Sequence, residues 1–166
     1  MKTTLNWKQG MFSESVSIFD NDRQIGFVKK SSWSHKSIAE LNGKKYEFRE
    51  HGLLKQDRDI ICVSENKVIG KIKYNTWGNK ACFDVNGEHF NWEYKNILNT
   101  EWLIYDSQGL NISYKSSLTS GQIETNDDDA IKILSGLYVN NYYTRVVIVA
   151  FVCCFISLST VWMVLH

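Results

Sequence analysis

Apolar and polar residues alternate in short runs along the first three quarters of the chain. Tyr46-Glu47-Phe48-Arg49-Glu50 is one such run, and Lys71-Ile72-Lys73-Tyr74 is another. A period of two puts neighbouring side chains on opposite faces, so these runs predict half-buried strands. Turn signals separate them: Gly10, Asp20-Asn21-Asp22, Asn42-Gly43, Glu65-Asn66, Asn86-Gly87 and Ser107-Gln108-Gly109. The pattern predicts strands at Leu5–Lys8, Val16–Phe19, Ile25–Lys30, Lys36–Leu41, Tyr46–Glu50 and Ile60–Val63. It predicts six more at Val68–Tyr74, Ala81–Val85, Phe90–Tyr94, Trp102–Tyr105, Leu110–Ser116 and Gln122–Thr125. The expected fold class is all-β. About twelve short strands in one domain should close into an antiparallel barrel, because closure removes exposed edges.

Part of the pattern recurs at an ungapped offset of 44 residues. Ile25-Gly26 matches Ile69-Gly70, Trp33 matches Trp77, and Lys36 matches Lys80. Asn42-Gly43 matches Asn86-Gly87, and Tyr46 and Phe48 match Phe90 and Trp92. Asn-Gly between alternating runs is a strong hairpin signal, since both residues tolerate positive φ. A shorter third copy follows, aligning Asp59–Cys62 with Trp102–Tyr105. The expectation is a duplicated unit of four strands, with Trp33 and Trp77 in equivalent sites.

After the last strand the period changes. Asn126-Asp127-Asp128-Asp129 predicts an N-cap and an acidic first turn for a helix over Asp128–Val139, apolar on most of its surface. A metal site at these carboxylates is the less favoured alternative, because no second cluster faces them. Beyond Arg145, Val146–Leu165 is an uncharged run of 20 residues. As a helix it measures about 30 Å, the thickness of a bilayer's hydrocarbon core. The residues expected to span are Val146, Ile148, Phe151, Phe155, Leu158, Trp162 and Leu165. Tyr138, Tyr142 and Tyr143 before the run, and Trp162 near its end, are placed to lie at the two interfaces. Lys132 and Arg145 lie on the N-terminal side, which predicts a β-domain in the cytoplasm. Met1–Lys8 lacks the apolar core of a signal peptide.

A closed barrel of about twelve strands followed by an apolar helix resembles the superfamily of tubby C-terminal domains, phospholipid scramblases and LURP-one-related proteins. The resemblance covers about residues 5 to 140 and rests on the strand rhythm, the Ile-Gly and Asn-Gly positions and the strand-to-helix ending. It implies that a helix threads the barrel's centre. It also implies association with membrane or phosphoinositide lipids rather than a shared enzyme activity. The expected division is a barrel domain over residues 1–140, plugged by 128–139, and a transmembrane helix over 145–165. The rival makes Val146–Leu165 the plug.

Composition narrows the function classes. The chain has 166 residues, 43% hydrophobic, 13% aromatic and 22% charged, with a net charge of +1. Near-neutrality argues against a nucleic-acid binder. The four cysteines, Cys62, Cys82, Cys153 and Cys154, make no CxxC pair, and the four histidines are scattered, so no metal or cofactor is expected. Cys153-Cys154 reads as two small apolar residues, with palmitoylation or disulfide pairing as alternatives. No nucleophile elbow, P-loop or dinucleotide fingerprint is present. Lys71 and Lys73 share one strand face, read as solvated. The expected function is a membrane-anchored, non-enzymatic barrel that binds lipid or an unknown protein. The alternatives are a scramblase-like lipid-handling protein and a soluble barrel that holds its last helix inside.

Overall fold

A computed structural model describes residues 2–10, 13–31, 35–51, 57–75 and 79–164, with side chains through Ile156. Among these residues twelve antiparallel strands form one closed barrel. They are β1 Thr3–Gln9, β2 Ser15–Asp20, β3 Arg23–Lys30, β4 Lys36–Leu41, β5 Lys44–Glu50 and β6 Asp57–Cys62. They continue with β7 Lys67–Tyr74, β8 Lys80–Val85, β9 Glu88–Tyr94, β10 Glu101–Tyr105, β11 Asn111–Ser117 and β12 Ser120–Thr125. Each strand pairs with its neighbours in sequence. β1 closes the ring on β12, from Thr3↔Thr125 to Lys8↔Ser120. The all-β closed barrel expected from the alternation is the fold observed.

The strand period sorts the side chains. Ser37, Ala39 and Leu41 of β4 point inward, as do Ala81, Phe83 and Val85 of β8. On β7, Ile72 is buried while Lys71 and Lys73 face solvent. The hairpins at Asn42-Gly43 and Asn86-Gly87 have the same backbone, with φ of 50° and 81° at the first and 51° and 84° at the second. The register shifts between Ile18 and Phe19 opposite β3, and again between Ile60 and Ile61 opposite β7. Trp33 and Trp77 lie outside the described residues. Both turn glycines sit in the left-handed region, where a β-branched side chain is penalised. Gly43→Val and Gly87→Val should each cost about 1–2 kcal/mol. Urea midpoints lowered by unequal amounts would contradict the likeness of the two turns.

The barrel is filled by the start of a single helix, α1, Ala130–Val164, of 35 residues. An eight-stranded barrel is just filled by its own side chains. Twelve strands enclose more room, and a helix about 10–12 Å across takes it. From Ala130 to Val139 the helix is buried at every residue but Lys132. It is walled by Phe48, Phe83, Phe90, Trp92, Trp102 and Tyr114, each at most 1% exposed.

Three expectations are corrected here. The helix begins at Ala130 rather than Asp128, because Asp129 serves as its cap: Asp129 Oδ1 accepts the Ile131 N–H at 3.3 Å. The expected segments 128–139 and 145–165 are parts of one uninterrupted helix. The rival plug, Val146–Leu165, is not inside the barrel over its described length: Val146 to Ile156 are exposed.

Candidate membrane-anchoring site

The two ends of the barrel differ. At one end, here the base, even-numbered strands pass to odd-numbered ones through short polar turns, and α1 enters. Lys132 is the helix's charged residue inside the barrel. It is fixed at the base by Glu88 Oε2 at 2.7 Å and Asp127 Oδ2 at 2.9 Å. Burial opposes the Lys132 charge, but the hydrogen bonds to Glu88 and Asp127 outweigh it and raise its pKa. Asp127 Oδ1 also accepts the Asp129 N–H at 2.7 Å, so these carboxylates serve the helix start.

At the other end, the mouth, α1 leaves the barrel. Its side chains meet the finishing residues of odd-numbered strands. Gln9 Nε2 donates to Asn141 Oδ1 at 3.5 Å, and the Tyr94 hydroxyl to Asn140 Oδ1 at 3.1 Å. The Tyr143 hydroxyl donates to the Lys80 carbonyl at 2.5 Å. Tyr74 packs on Tyr142 at 4.2 Å between ring centroids and meets Tyr143 edge-on at 5.5 Å. The Arg58 guanidinium lies over Tyr74 at 5.6 Å and over Tyr142 at 5.3 Å, a cation–π arrangement. Burial pushes the Tyr94 hydroxyl up to about 12 and raises that of Tyr143. These phenols stay neutral donors at physiological pH.

The tyrosines expected at the lipid interface are thus used within the mouth. Tyr138 and Tyr143 are buried, and Phe48 stacks on Tyr138 at 4.0 Å. Their helical spacing turns them toward the aromatic rim of the strands. The gap beside them, walled by Lys30, Ser37, Glu50, Asn141, Tyr142 and Arg145, measures about 20 Å³. It has room for about one water and none for a larger ligand.

From Val146 to Ile156 the helix is bare. Val146 is 47% exposed, Ile148 55%, Phe151 64% and Phe155 72%. Leu158 and Trp162 continue the same helix with side chains outside the described residues, and Leu165 lies outside them altogether. Cys153 and Cys154 are exposed on this stretch. Among the described residues one helix is long and apolar enough to cross a membrane, and only 11% of its most apolar stretch is buried. A core helix of a soluble protein would be mostly covered.

The chain matches no protein-family model, no curated protein and no solved structure.

Sequence reasoning picked out the apolar span but missed the mouth. Arg58, Asn140 and Asn141 carry no motif. The signal that could have found Lys132 is a lone charge in an apolar helix, since such a charge needs a partner.

Proposed function

We propose that this chain is a single-pass, membrane-anchored β-barrel domain whose barrel sits on the cytoplasmic side as a non-enzymatic module that binds lipid or protein. The observation that carries the anchor is the change of environment along one helix, sealed in the barrel through Val139 and bare from Val146 to Ile156. Exposing that many large apolar side chains to water is unfavourable by about 25 cal/mol per Å² of apolar surface. A bilayer removes the cost. The part beyond Arg145 is roughly 28 Å long at 1.5 Å per residue, matching a hydrocarbon core of about 30 Å. Lys132 and Arg145 on the barrel side favour the cytoplasmic orientation.

Twelve strands closed around a C-terminal helix support grouping the barrel with the tubby, scramblase and LURP-one-related superfamily. The matched Asn-Gly turns and matched register shifts support two copies of a four-strand unit, β2–β5 and β6–β9. The filled lumen favours an outer-surface binding role over a ligand held inside. The anchor is tested by alkaline carbonate extraction of membranes. The protein should stay in the pellet and leave it only with detergent. Release into the carbonate supernatant would refute the anchor.

A further inference from the structure

The connections at the mouth are unlike those at the base. At the base the chain turns through Asn21-Asp22, Asn42-Gly43, Asn86-Gly87 and other polar residues. At the mouth, the connection β9–β10 presents Ile97 and Leu98, 100% and 82% exposed, and the two-residue turn β11–β12 presents Leu118, 100% exposed. Val63 and Val68 at the base are the other exposed large apolar residues of the described barrel, and each is about half covered.

The β9–β10 connection is held in place, not collapsed. Asn96 Oδ1 accepts the Thr100 N–H at 3.0 Å and the Glu101 N–H at 3.3 Å, with Ile97 and Leu98 projecting between. The two apolar tips are neighbours on the rim, because β10 pairs with β11 and Ser116 N–H reaches the Thr100 carbonyl at 2.8 Å.

Leu118 is the sharper case. Its φ is 52°, and the other left-handed residues among those described are Asn or Gly. A leucine there works against its backbone preference and against the hydrophobic effect at once. Neither is compensated inside the fold, since the side chain is wholly bare. Asn or Gly would make the same turn without either cost. The leucine therefore points to a partner outside the barrel.

We infer that Ile97, Leu98 and Leu118 form a second membrane contact, inserting at the boundary of headgroups and acyl chains so that the barrel rests mouth-down on the bilayer. The occupant is lipid because the tips lie at the end of the barrel where the helix read here as the anchor leaves it, and the inference rests on that reading. A helix crossing the bilayer from the mouth brings the rim to the headgroups, where apolar side chains insert about 5–10 Å.

The test uses the full chain in vesicles of phosphatidylcholine and phosphatidylglycerol, with the four native cysteines changed to alanine. A polarity-sensitive fluorophore is attached in turn at Leu98→Cys, Leu118→Cys, Phe155→Cys and, at the base, Gln108→Cys. Lipids carrying a quencher near the headgroup or deep in the chain report depth. The expected result is loss of emission to the shallow quencher at 98 and 118, loss to the deep quencher at 155, and no loss at 108. Quenching at 155 with none at 98 and 118 would overturn the membrane-seated rim and leave the anchor standing. No quenching at 155 would overturn the anchor. Quenching at 108 equal to that at 98 and 118 would also overturn the rim contact, since a label that draws any site to lipid would explain it.

Discussion

Gly136→Ala should destabilise the barrel, although alanine is the better helix former. Glycine in a helix interior costs about 1 kcal/mol relative to alanine, so an unconstrained Gly136 would gain that much on substitution. The position is constrained. A Cβ there would lie 2.3 Å from Cζ and from the hydroxyl oxygen of Tyr114. The Tyr114 ring cannot retreat. It is fully buried, stacks on Trp102 with ring centroids 5.4 Å apart, and donates to the Ile133 carbonyl of α1 at 2.9 Å. Two strands along the same wall, on β9, Trp92 Nε1 donates to the Gly136 carbonyl at 3.2 Å, so the helix cannot slide away from Tyr114 without losing that bond. Overpacking of this kind costs about 1–3 kcal/mol, occasionally more. The lost Tyr114 hydrogen bond adds about 1 kcal/mol. The net for alanine should be a loss of about 2 kcal/mol, and valine should prevent the plug from seating. Denaturant midpoints measure it. A more stable alanine variant would mean that the helix is not held this close. Gly136→Ala combined with Tyr114→Phe should recover part of the loss, a coupling that contacting residues show and distant ones do not.

The strands were legible because each carries a two-residue period and nearly all have a turn signal at one end. The observed ends fall within about three residues of those expected. The continuity of α1 was not legible. The expected plug stopped at Val139 and the expected span began at 145; Asn140 and Asn141 lie between them. They are polar because the helix crosses the barrel rim there, where Tyr94 and Gln9 supply partners. A local signal was produced by a tertiary contact, and one sequence does not distinguish the two. The same holds for Tyr138 and Tyr143. Tyrosine beside an apolar run suits a lipid interface, but it suits an aromatic barrel mouth equally. Lys132 pairs with Glu88, 44 positions away, through a topology that only the closed barrel defines. The bare span needed no partner to be recognised: its composition alone is the observation.

Val152→Arg combined with Phe155→Arg should release the protein from membranes while leaving the barrel folded. The two positions are three residues apart, so they share one face of α1 near the middle of the span. They are 51% and 72% exposed and lie beyond the mouth, so no barrel contact is lost. An arginine at the centre of a spanning helix costs about 2.5–3.5 kcal/mol, and each central Val, Ile or Phe returns only about 0.3–0.6 kcal/mol. The pair costs about 5–7 kcal/mol, as much as roughly a dozen apolar residues supply. At about 1.4 kcal/mol per factor of ten, the membrane-bound fraction should fall by roughly four orders of magnitude. Carbonate extraction reads the release, and circular dichroism reads the barrel. Depth supplies the discriminating arm. Val146→Arg, next to Arg145 at the mouth, should leave the protein in the membrane, because a long side chain there can reach the headgroups. If the bare helix were instead covered by a second copy of itself, two arginines would disrupt that pairing wherever they lay along it. Loss of membrane association that depends on distance from the mouth is the result a bilayer alone predicts. Equal release by arginine at 146 and at the centre would refute the spanning helix.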